Sequence, residues 1–432
     1  MRTRPRPSTL SWNGSRGVVP EDACRASALR QHQTRASSVS VRLGGAACMT
    51  VVTPRAQARG APGFLVSAGP RRVNRGFGSA FVAVPGAEPA YECLDAASPT
   101  SKHVTYEAKR TAQALWIAGP GRAELREELL PELEPGQVLV RALYSGISRG
   151  TEALVFRHAV PQGERERMRA PHQAGSLPGP VKYGYASVGE VLKGPSELLG
   201  RQVFALFPHQ SAYVLAADQV LPLPDALPAA RAVLAANMET ALNALWDAQP
   251  LLGQRIVVIG AGVVGALCAY LAARIPGCEV TLVDIQPDRA PLAAALGASI
   301  SLPEPAPHGA DLVLHASGAP AGLTLALSLA ADEASIVELS WYGDKLVPLP
   351  LGAAFHPGRL RLLASQVGQV APSMRGRRSH RQRLALALEL LKDPVLDRLI
   401  SQEVPLSQLP GALERLYAAD SRALCARVSY AE

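Results

Sequence analysis

The spacing of hydrophobic and polar positions changes near residue 229. Before that point, short segments such as residues 137–143, 186–192 and 202–207 alternate apolar and polar residues between glycines and prolines. This pattern is typical of antiparallel strands. After that point, residues 231–247 place their apolar side chains at helical spacing, and strands of buried type alternate with helices. The chain is therefore predicted to be an α/β protein, with a small, mostly antiparallel barrel followed by a doubly wound parallel sheet.

The second half of the chain is predicted element by element. Strand patterns at residues 256–259, 279–283, 311–316 and 335–339 alternate with helical patterns at 291–296 and 322–331, and two further helices are predicted at 380–391 and 409–416. These elements predict a barrel domain over residues 109–236, a dinucleotide-binding domain over 237–366, and a C-terminal return to the first domain over 367–432.

A glycine-rich turn joins the first of these strands to a helix. Residues 256–265 read IVVIGAGVVG. Gly260 allows a tight turn, Gly262 allows the backbone to approach a pyrophosphate, and Gly265 allows the helix to pack closely on the strand. This strand, turn and helix predict a dinucleotide-binding site. The uncharged run at residues 256–273 is also long enough for a membrane helix, but its glycines and β-branched residues favour the strand and turn.

The start of the helix and the end of the second strand complete the pattern. Free N–H groups where Val263 and Val264 begin the helix are expected to hold the phosphates. Asp284 ends the second strand, 24 residues after Gly260. A carboxylate at this position accepts hydrogen bonds from an adenosine ribose and repels a 2′-phosphate, so the cofactor is predicted to be NAD rather than NADP. Asp284 could also be a helix cap or a solvated strand end.

The formal charge of +8 is concentrated in the N-terminal part of the chain. Residues 1–105 contain 13 Arg and one Lys against five acidic residues, whereas the remainder contains 30 basic and 31 acidic residues. Residues 1–108 lack periodicity and are predicted to be a disordered basic extension. The composition resembles a transit peptide and lacks a secretory signal. We favour the interpretation that the translation start is assigned too far upstream, with the true start near residue 104.

The six cysteines indicate a reducing environment. They are widely spaced and include no C-x-x-C pair, so neither a disulfide framework nor a thiolate zinc cluster is expected. A cytoplasmic location is predicted. The cluster Arg375, Arg377, Arg378, Arg381 and Arg383 is interpreted as a solvated loop and helix start, with a site for an acidic substrate or partner as the alternative. It has no interleaved aromatic residues, so no nucleic-acid partner is expected.

Several segments resemble the medium-chain dehydrogenase/reductase superfamily, in particular its alcohol and threonine dehydrogenases. Residues 144–152 read YSGISRGTE and residues 184–191 read GYASVGEV, where the family has its two substrate-side motifs. Residues 237–242 match the helix that joins the two domains, and residues 283–289 match the adenosine side. The resemblance covers residues 112–432. It implies a GroES-like barrel, a Rossmann domain and a homodimer or homotetramer, with residues 361–364 as a candidate interface strand.

The departures from the family concern zinc. Family members with catalytic zinc bind it through a cysteine in the first motif and a histidine with a glutamate in the second. Here the first position is Ser148 or Arg149, the histidine position is Tyr185 and the glutamate position is Ala186. A hydroxyl is a poor zinc ligand, and three good donors are normally needed. The chain is therefore expected to work without zinc or any other metal.

Without zinc, hydrogen-bond donors must stabilise a developing oxyanion. Tyr185 is the first candidate, with a satisfied core tyrosine as the alternative. The resemblance places Ser148 and Thr151 at the proton-relay hydroxyl, although each could be a turn residue that bonds its own backbone. Glu152 is a candidate general base if burial raises its pKa. Arg149 could bind an anionic substrate or could be solvated.

Two further titratable residues are weighed for catalysis. Glu239 could act as a base, but pairing or capping on the joining helix is the favoured interpretation. His209 is an alternative acid, and a structural role is favoured for it.

Further cofactor contacts follow from the fold and the resemblance. Ser317 and Gly318 follow one strand and Ser340 follows the next, and ligands of this fold bind at the carboxyl ends of strands. By resemblance, Thr240 lies near the nicotinamide and Arg289 lies on the adenosine side.

The leading hypothesis is an NAD-dependent, zinc-independent oxidoreductase that transfers hydride to or from a small alcohol or carbonyl substrate. One alternative is an NAD(P)H-dependent quinone or enoyl reductase. A second is a dinucleotide-binding accessory protein without catalysis. No membrane partner is expected.

Overall fold

The computed structural model describes residues 111–430. The predicted extension at residues 1–108 and the alternative start near residue 104 lie outside the described residues. The described part forms a four-stranded, a six-stranded and a seven-stranded sheet. The α/β fold class is therefore confirmed, while the exact domain boundaries stay predictions.

The first part of the described chain contains nine strands and three helices. The strands are β1 (Thr111–Gly119), β2 (Arg122–Leu129), β3 (Gln137–Ile147), β4 (Ala174–Gly175), β5 (Val181–Lys182), β6 (Ser187–Lys193), β7 (Gln202–Ala205), β8 (Ala212–Ala216) and β9 (Leu221–Pro222). The helices are α1 (Thr151–Phe156), α2 (Ala229–Ala232) and α3 (Ala235–Ala248).

The second part alternates strands and helices. Its elements are β10 (Arg255–Ile259), α4 (Val263–Ala272), β11 (Glu279–Val283), α5 (Ala290–Leu296), β12 (Ser299–Ser301), β13 (Ala310–His315), α6 (Pro320–Leu329), β14 (Ala330–Glu338), β15 (Arg361–Ala364), α7 (His380–Leu390), β16 (Ile400–Pro405), α8 (Leu409–Tyr417) and β17 (Cys425–Ser429). Short 3₁₀ helices cover Gln162–Glu164, Ala217–Gln219, Pro287–Arg289, Pro394–Leu399 and Leu406–Gln408.

Pairing in the first part is antiparallel, as the alternating pattern predicted. β3 is central, because it pairs with β6, β8 and β17. β17 lies between β3 and β16, and its pairing with β16 is parallel. The C-terminal elements thus complete the sheet that the first part of the chain begins.

The six-stranded sheet is entirely parallel, with the order β12-β11-β10-β13-β14-β15. Successive residues of β10 point to opposite faces. Ile256 and Val258 belong to a core that includes α3 and α4, whereas Val257 and Ile259 belong to a core that includes α6. Both faces are buried, which explains why β10 reads as a continuous apolar run.

Helix α3 lies where the two parts of the structure share one core. That core extends from Val188 and Phe204 in the antiparallel sheet to Leu282 in the parallel sheet. The sequence predicted one helix over residues 231–247, but the structure has α2 and α3 as separate helices. The apolar spacing continues across the break because buried Val233 and Leu234 connect the two helices.

The apolar run at residues 256–273 divides into strand β10, the glycine turn and helix α4. Within residues 111–430, no helix combines the length and the apolar character that crossing a bilayer requires.

Candidate active site

The glycine turn lies where the strand order of the parallel sheet reverses, with β11 on one side of β10 and β13 on the other. Ligands of such sheets bind at this point, beyond the carboxyl ends of the strands. Gly260 has a φ of 99°, and a Cβ there would lie 2.7 Å from Cα of Ser317. A Cβ on Gly265 would lie 1.9 Å from the carbonyl oxygen of Gly260. The turn therefore requires glycine at both positions.

The start of α4 is open to a ligand. Gly262 is its N-cap residue, no side chain caps the helix, and a Cβ on Gly262 would meet no atom within 4 Å. Val263 and Val264 form the first turn and are half-buried. Uncapped N–H groups at a helix start attract anions, so this feature fits the pyrophosphate of a dinucleotide.

Asp284 lies beside the same turn. Its carboxylate accepts hydrogen bonds from the backbone N–H of Ala261 at 2.6 Å and of Gln286 at 2.9 Å. The side chain is half-buried. The carboxylate thus supports the turn, and its position at the end of β11 fits a ribose hydroxyl.

A cavity of about 850 Å³ joins this turn to the antiparallel part of the structure. Ten of the residues predicted from sequence line it. They are Ser148, Thr151, Tyr185, Thr240, Gly262, Val263, Val264, Ser317, Gly318 and Ser340. The cavity therefore brings the predicted cofactor side and the predicted substrate side together.

Three hydroxyl groups meet on the substrate side. Ser148 and Thr151 lie near the phenol of Tyr185, and both lower its pKa. Burial raises the pKa of Tyr185 to about 12, and the negative charge of Glu152 adds to the shift. Tyr185 is therefore neutral at physiological pH and able to donate a hydrogen bond into the cavity.

Glu152 does not line the cavity but is buried behind the hydroxyl groups. Its carboxylate accepts from the backbone N–H of Ser148 at 3.1 Å and from the hydroxyl of Tyr417 at 3.2 Å. The same carboxylate lies 3.1 Å from Nε2 of His209. Protein groups therefore contact both carboxylate oxygens of Glu152.

His209 is buried and has partners on both ring nitrogens. Besides Glu152, it contacts Oγ of Ser145 at 2.7 Å through Nδ1. Ser145 in turn lies 2.8 Å from the hydroxyl of Tyr430. This arrangement supports the structural interpretation of His209.

Glu239 pairs with Arg383, which the sequence had grouped with solvated arginines. Nε of Arg383 lies 3.0 Å from the Glu239 carboxylate, and both side chains are buried. Arg383 also donates to Asn243 and to the carbonyl oxygens of Val367 and Gln369. The solvated interpretation is therefore wrong for Arg383. Arg375, Arg377, Arg378 and Arg381 are exposed, but Arg375 donates to the carbonyl oxygen of Val370 and Arg381 donates to those of Asp218 and Val220.

Arg149 also forms internal contacts instead of being solvated. Its guanidinium donates to the carbonyl oxygens of Leu416, Ala418 and Ala423, at 2.9, 3.3 and 2.5 Å. Because Arg149 lines the cavity as well, it anchors the C-terminal segment to the cavity wall.

The cofactor side contains a group that sequence reasoning missed. Oγ of Ser317 lies 2.6 Å from Nε2 of His315, and Nδ1 of His315 lies 2.7 Å from the carboxylate of Glu338. Oγ of Ser340 accepts from the backbone N–H of Gly318 at 3.0 Å. Only strand register relates His315 to Glu338, and the sequence alone does not give that register.

Two predicted cofactor residues show contacts within the protein. The hydroxyl of Thr240 donates to the carbonyl oxygen of Ala236 at 3.0 Å, within helix α3. Arg289 donates to the carbonyl oxygen of Arg422 at 2.8 Å and lies outside the cavity lining.

The residues at the family's zinc positions do not fit zinc. Ser148, Tyr185 and Ala186 supply two hydroxyl groups and a methyl group. Within residues 111–430, no group of three or more His, Cys, Asp or Glu side chains is arranged to hold a metal ion.

No protein-family model matches the chain. A protein of Arthroderma otae named as a D-xylulose reductase A is 29% identical over 158 residues, which are 33% of this chain and 44% of the relative. The chain thus matches less than half the length of this relative.

Solved dehydrogenase structures match over most of the described residues. L-idonate 5-dehydrogenase of Escherichia coli K-12 has a TM-score of 0.61 at 16% identity and covers 74% of this chain and 98% of its own. A dehydrogenase of Sinorhizobium meliloti 1021 bound to NADP has a TM-score of 0.60 at 18% identity. An alcohol dehydrogenase of E. coli CFT073 complexed with NADH has a TM-score of 0.59 at 15% identity. The last two matches each cover 74% of this chain and 100% of the solved chain.

The likeness lies in the fold, because these identities are low. It agrees with the domain order and motifs that the sequence shows. The chain therefore has the fold of the medium-chain dehydrogenase/reductase superfamily, which confirms the resemblance found in the sequence.

Proposed function

We propose that the protein is a zinc-independent, NAD(H)-dependent oxidoreductase that transfers hydride to or from an alcohol or carbonyl substrate. One observation carries the proposal: a single cavity is lined by an uncapped helix start and by the hydroxyl groups around Tyr185. The first feature fits a dinucleotide, and the second fits a substrate oxygen. When bound, the nicotinamide supplies or accepts the hydride.

The chemistry of the substrate side centres on Tyr185. Its neutral phenol donates a hydrogen bond to the substrate oxygen and stabilises the negative charge that develops there. In the reducing direction, Tyr185 also delivers the proton. Ser148 and Thr151 then stabilise the phenolate, because both residues favour the ionised form of Tyr185.

The choice of NAD over NADP rests on Asp284. A carboxylate beside the adenosine ribose repels a 2′-phosphate. Titration with NADH and NADPH tests the choice, and Asp284→Asn is expected to reduce the preference. A clear preference of the unmodified protein for NADPH would contradict it.

The absence of a zinc requirement rests on the donor set at Ser148, Tyr185 and Ala186. Metal analysis of protein purified without a chelator tests it. About one zinc per chain would contradict this part of the proposal.

Polyols and their ketoses are the first substrates to test, because the curated relative is named as a D-xylulose reductase. Oxidation and reduction are followed at the NADH absorption band. Quinones and enoyl esters belong in the same screen, since their turnover would favour a quinone or enoyl reductase.

Tyr185→Phe tests the assignment of the catalytic hydroxyl. The variant is expected to bind NADH like the unmodified protein and to lose turnover by about 10²- to 10³-fold, as expected when one oxyanion donor is removed. Tyr213→Phe is a matched control, because Tyr213 is buried away from the cavity and donates to Ser187. Tight NADH binding without turnover on any substrate would favour a non-catalytic accessory protein.

We also propose a homodimer or homotetramer that works in the cytoplasm. Strand β15 is an exposed edge that pairs with β14, and Leu362 and Leu363 are partly exposed on it. The free thiols of Cys268, Cys278 and Cys425 support a reducing compartment.

A further inference from the structure

A buried histidine and a glutamate lie behind the hydroxyl of Ser317. His315 is fully buried at the end of β13, and Glu338 ends the neighbouring strand β14. The distances are 2.6 Å from Ser317 Oγ to His315 Nε2 and 2.7 Å from His315 Nδ1 to the Glu338 carboxylate. This chain of two short hydrogen bonds ends at a hydroxyl that faces the cavity.

The partners of Glu338 determine where the protons lie. Its carboxylate also accepts from the backbone N–H of Ser340 at 2.6 Å and from the hydroxyl of Tyr342 at 3.0 Å. Burial disfavours the charge, but hydrogen bonds from His315 and Ser340 outweigh burial and lower the pKa of Glu338. An ionised Glu338 accepts only, so His315 donates to it through Nδ1, and a ring that carries this single proton accepts the Ser317 O–H at Nε2.

The hydroxyl proton of Ser317 is therefore directed away from the cavity. One lone pair of Oγ accepts from the backbone N–H of Ala319 at 3.2 Å. The remaining lone pair is available to a ligand, and Ser317 is exposed there. The contact between His315 and Ser317 needs a glycine at position 322. A Cβ on Gly322 would lie 2.5 Å from both His315 Nε2 and Ser317 Oγ.

The order of groups is that of a serine hydrolase triad, but an oxyanion hole is not available from the adjacent backbone. The N–H of Gly318 donates to Ser340, and the N–H of Ala319 donates to Ser317 itself. Backbone donors aimed at the developing oxyanion are what such a nucleophile requires. A binding role fits this geometry better than a nucleophilic role.

We propose that His315 and Glu338 are positioning residues that fix the Ser317 hydroxyl as a hydrogen-bond acceptor for a ribose hydroxyl of the nicotinamide half of the dinucleotide. The inference rests on the proposed function. Ser317 has the required place, since it follows β13 and lies against Gly260 at the reversal of strand order.

Glu338→Gln tests the proton positions. The glutamine can keep its oxygen toward the N–H of Ser340 and present its NH₂ group to Nδ1 of His315. His315 then carries its proton on Nε2 and donates to Ser317, whose O–H turns into the cavity as a donor. We expect the Kd for NADH, measured by fluorescence, to rise about tenfold, as for the loss of one hydrogen bond.

Ser317→Ala is expected to raise the Kd similarly, and Ser317→Thr, which keeps the hydroxyl, is expected to restore binding. A dinucleotide analogue that lacks the nicotinamide-ribose hydroxyl proposed to contact Ser317 is expected to bind the unmodified protein and the Glu338 and Ser317 variants with equal affinity. Ser328→Ala and Glu333→Gln are matched controls on exposed positions of α6 and β14. If the Glu338→Gln variant fails to fold, the Ser317→Ala and Ser317→Thr variants still test the contact between the Ser317 hydroxyl and the dinucleotide, because Ser317 is exposed.

The outcomes separate the inference from the proposed function. If the unmodified protein binds neither NADH nor NADPH, the proposed function fails and the inference fails with it. If the unmodified protein binds NADH and the Ser317→Ala variant binds it equally well, only the inference fails. Covalent labelling of Ser317 by a fluorophosphonate probe would also overturn it, because the residue would then be a nucleophile.

Discussion

Nε of Arg383 lies 3.0 Å from the carboxylate of Glu239, and each side chain is less than one-tenth exposed. The pair joins α7 to α3, the helix at the centre of the shared core. Breaking such a pair leaves the remaining charge buried, which costs far more than losing a pair on the surface.

Arg383→Met is therefore expected to destabilise the protein by about 3–5 kcal/mol, measured by urea unfolding. Arg359→Met is the matched control, because Arg359 pairs with Glu333 at 79% and 62% exposure, and it is expected to cost less than about 1 kcal/mol. Adding Glu239→Leu to Arg383→Met should recover much of the loss. Equal effects of the two arginine variants would contradict a buried pair.

Alanine substitutions at two glycines of the same turn are expected to differ in their effects on stability and on NADH affinity. Gly262→Ala should leave the melting temperature unchanged, because its Cβ meets no protein atom, yet it should weaken NADH binding at least tenfold by blocking the pyrophosphate. Gly265→Ala should cost about 1–3 kcal/mol or more, since its Cβ would lie 1.9 Å from the oxygen of Gly260. Calorimetry and NADH titration measure the two effects. Unchanged NADH affinity in Gly262→Ala would argue against a dinucleotide at this turn.

The pH dependence of turnover reports on Tyr185. Its pKa is raised to about 12, with burial as the main cause, so the donating form persists above pH 10, where an ordinary tyrosine ionises. The rate of carbonyl reduction should therefore not fall between about pH 9 and pH 10.5 through ionisation of Tyr185. Glu152→Gln removes a negative charge that raises this pKa, and it should move the alkaline loss to lower pH. A loss of turnover near pH 10 that occurs in the unmodified protein and is absent in Tyr185→Phe would contradict the raised pKa of Tyr185.

The exposed edge of the parallel sheet is expected to mediate self-association. Leu363→Lys places a charge on β15, where Leu363 is 39% exposed, and charged residues block pairing between sheet edges. Sedimentation equilibrium should show a reduced assembly mass. Leu251→Lys, at a residue 68% exposed outside this edge, serves as the control. A monomeric unmodified protein would refute the interface.

The strands and helices of the cofactor side were predictable because burial leaves apolar runs in the strands and apolar residues at helical spacing in the helices. β10, β11 and β13 lie within a residue or two of their predicted positions. The glycine positions were also predictable, since a Cβ at Gly260 or Gly265 would clash with backbone atoms.

The buried polar contacts were not predictable, because they depend on how distant elements pack. Arg383 sits among exposed arginines in sequence, and only the packing of α7 on α3 buries it. The contact of His315 with Glu338 arises from strand register between β13 and β14. Glu152 is adjacent to Thr151 in sequence, yet it turns into the interior while Thr151 faces the cavity.

The pairing of β3 with β17 sets an order for the assembly of the site. Ile147 pairs with Ala426, which is 279 residues further along the chain. Ser148 follows β3 directly, so its strand acquires this neighbour only after the whole parallel sheet has been synthesised. Contacts so distant in sequence close slowly. On the ribosome, the six-stranded parallel sheet can therefore be complete while the seven-stranded sheet still lacks β16 and β17.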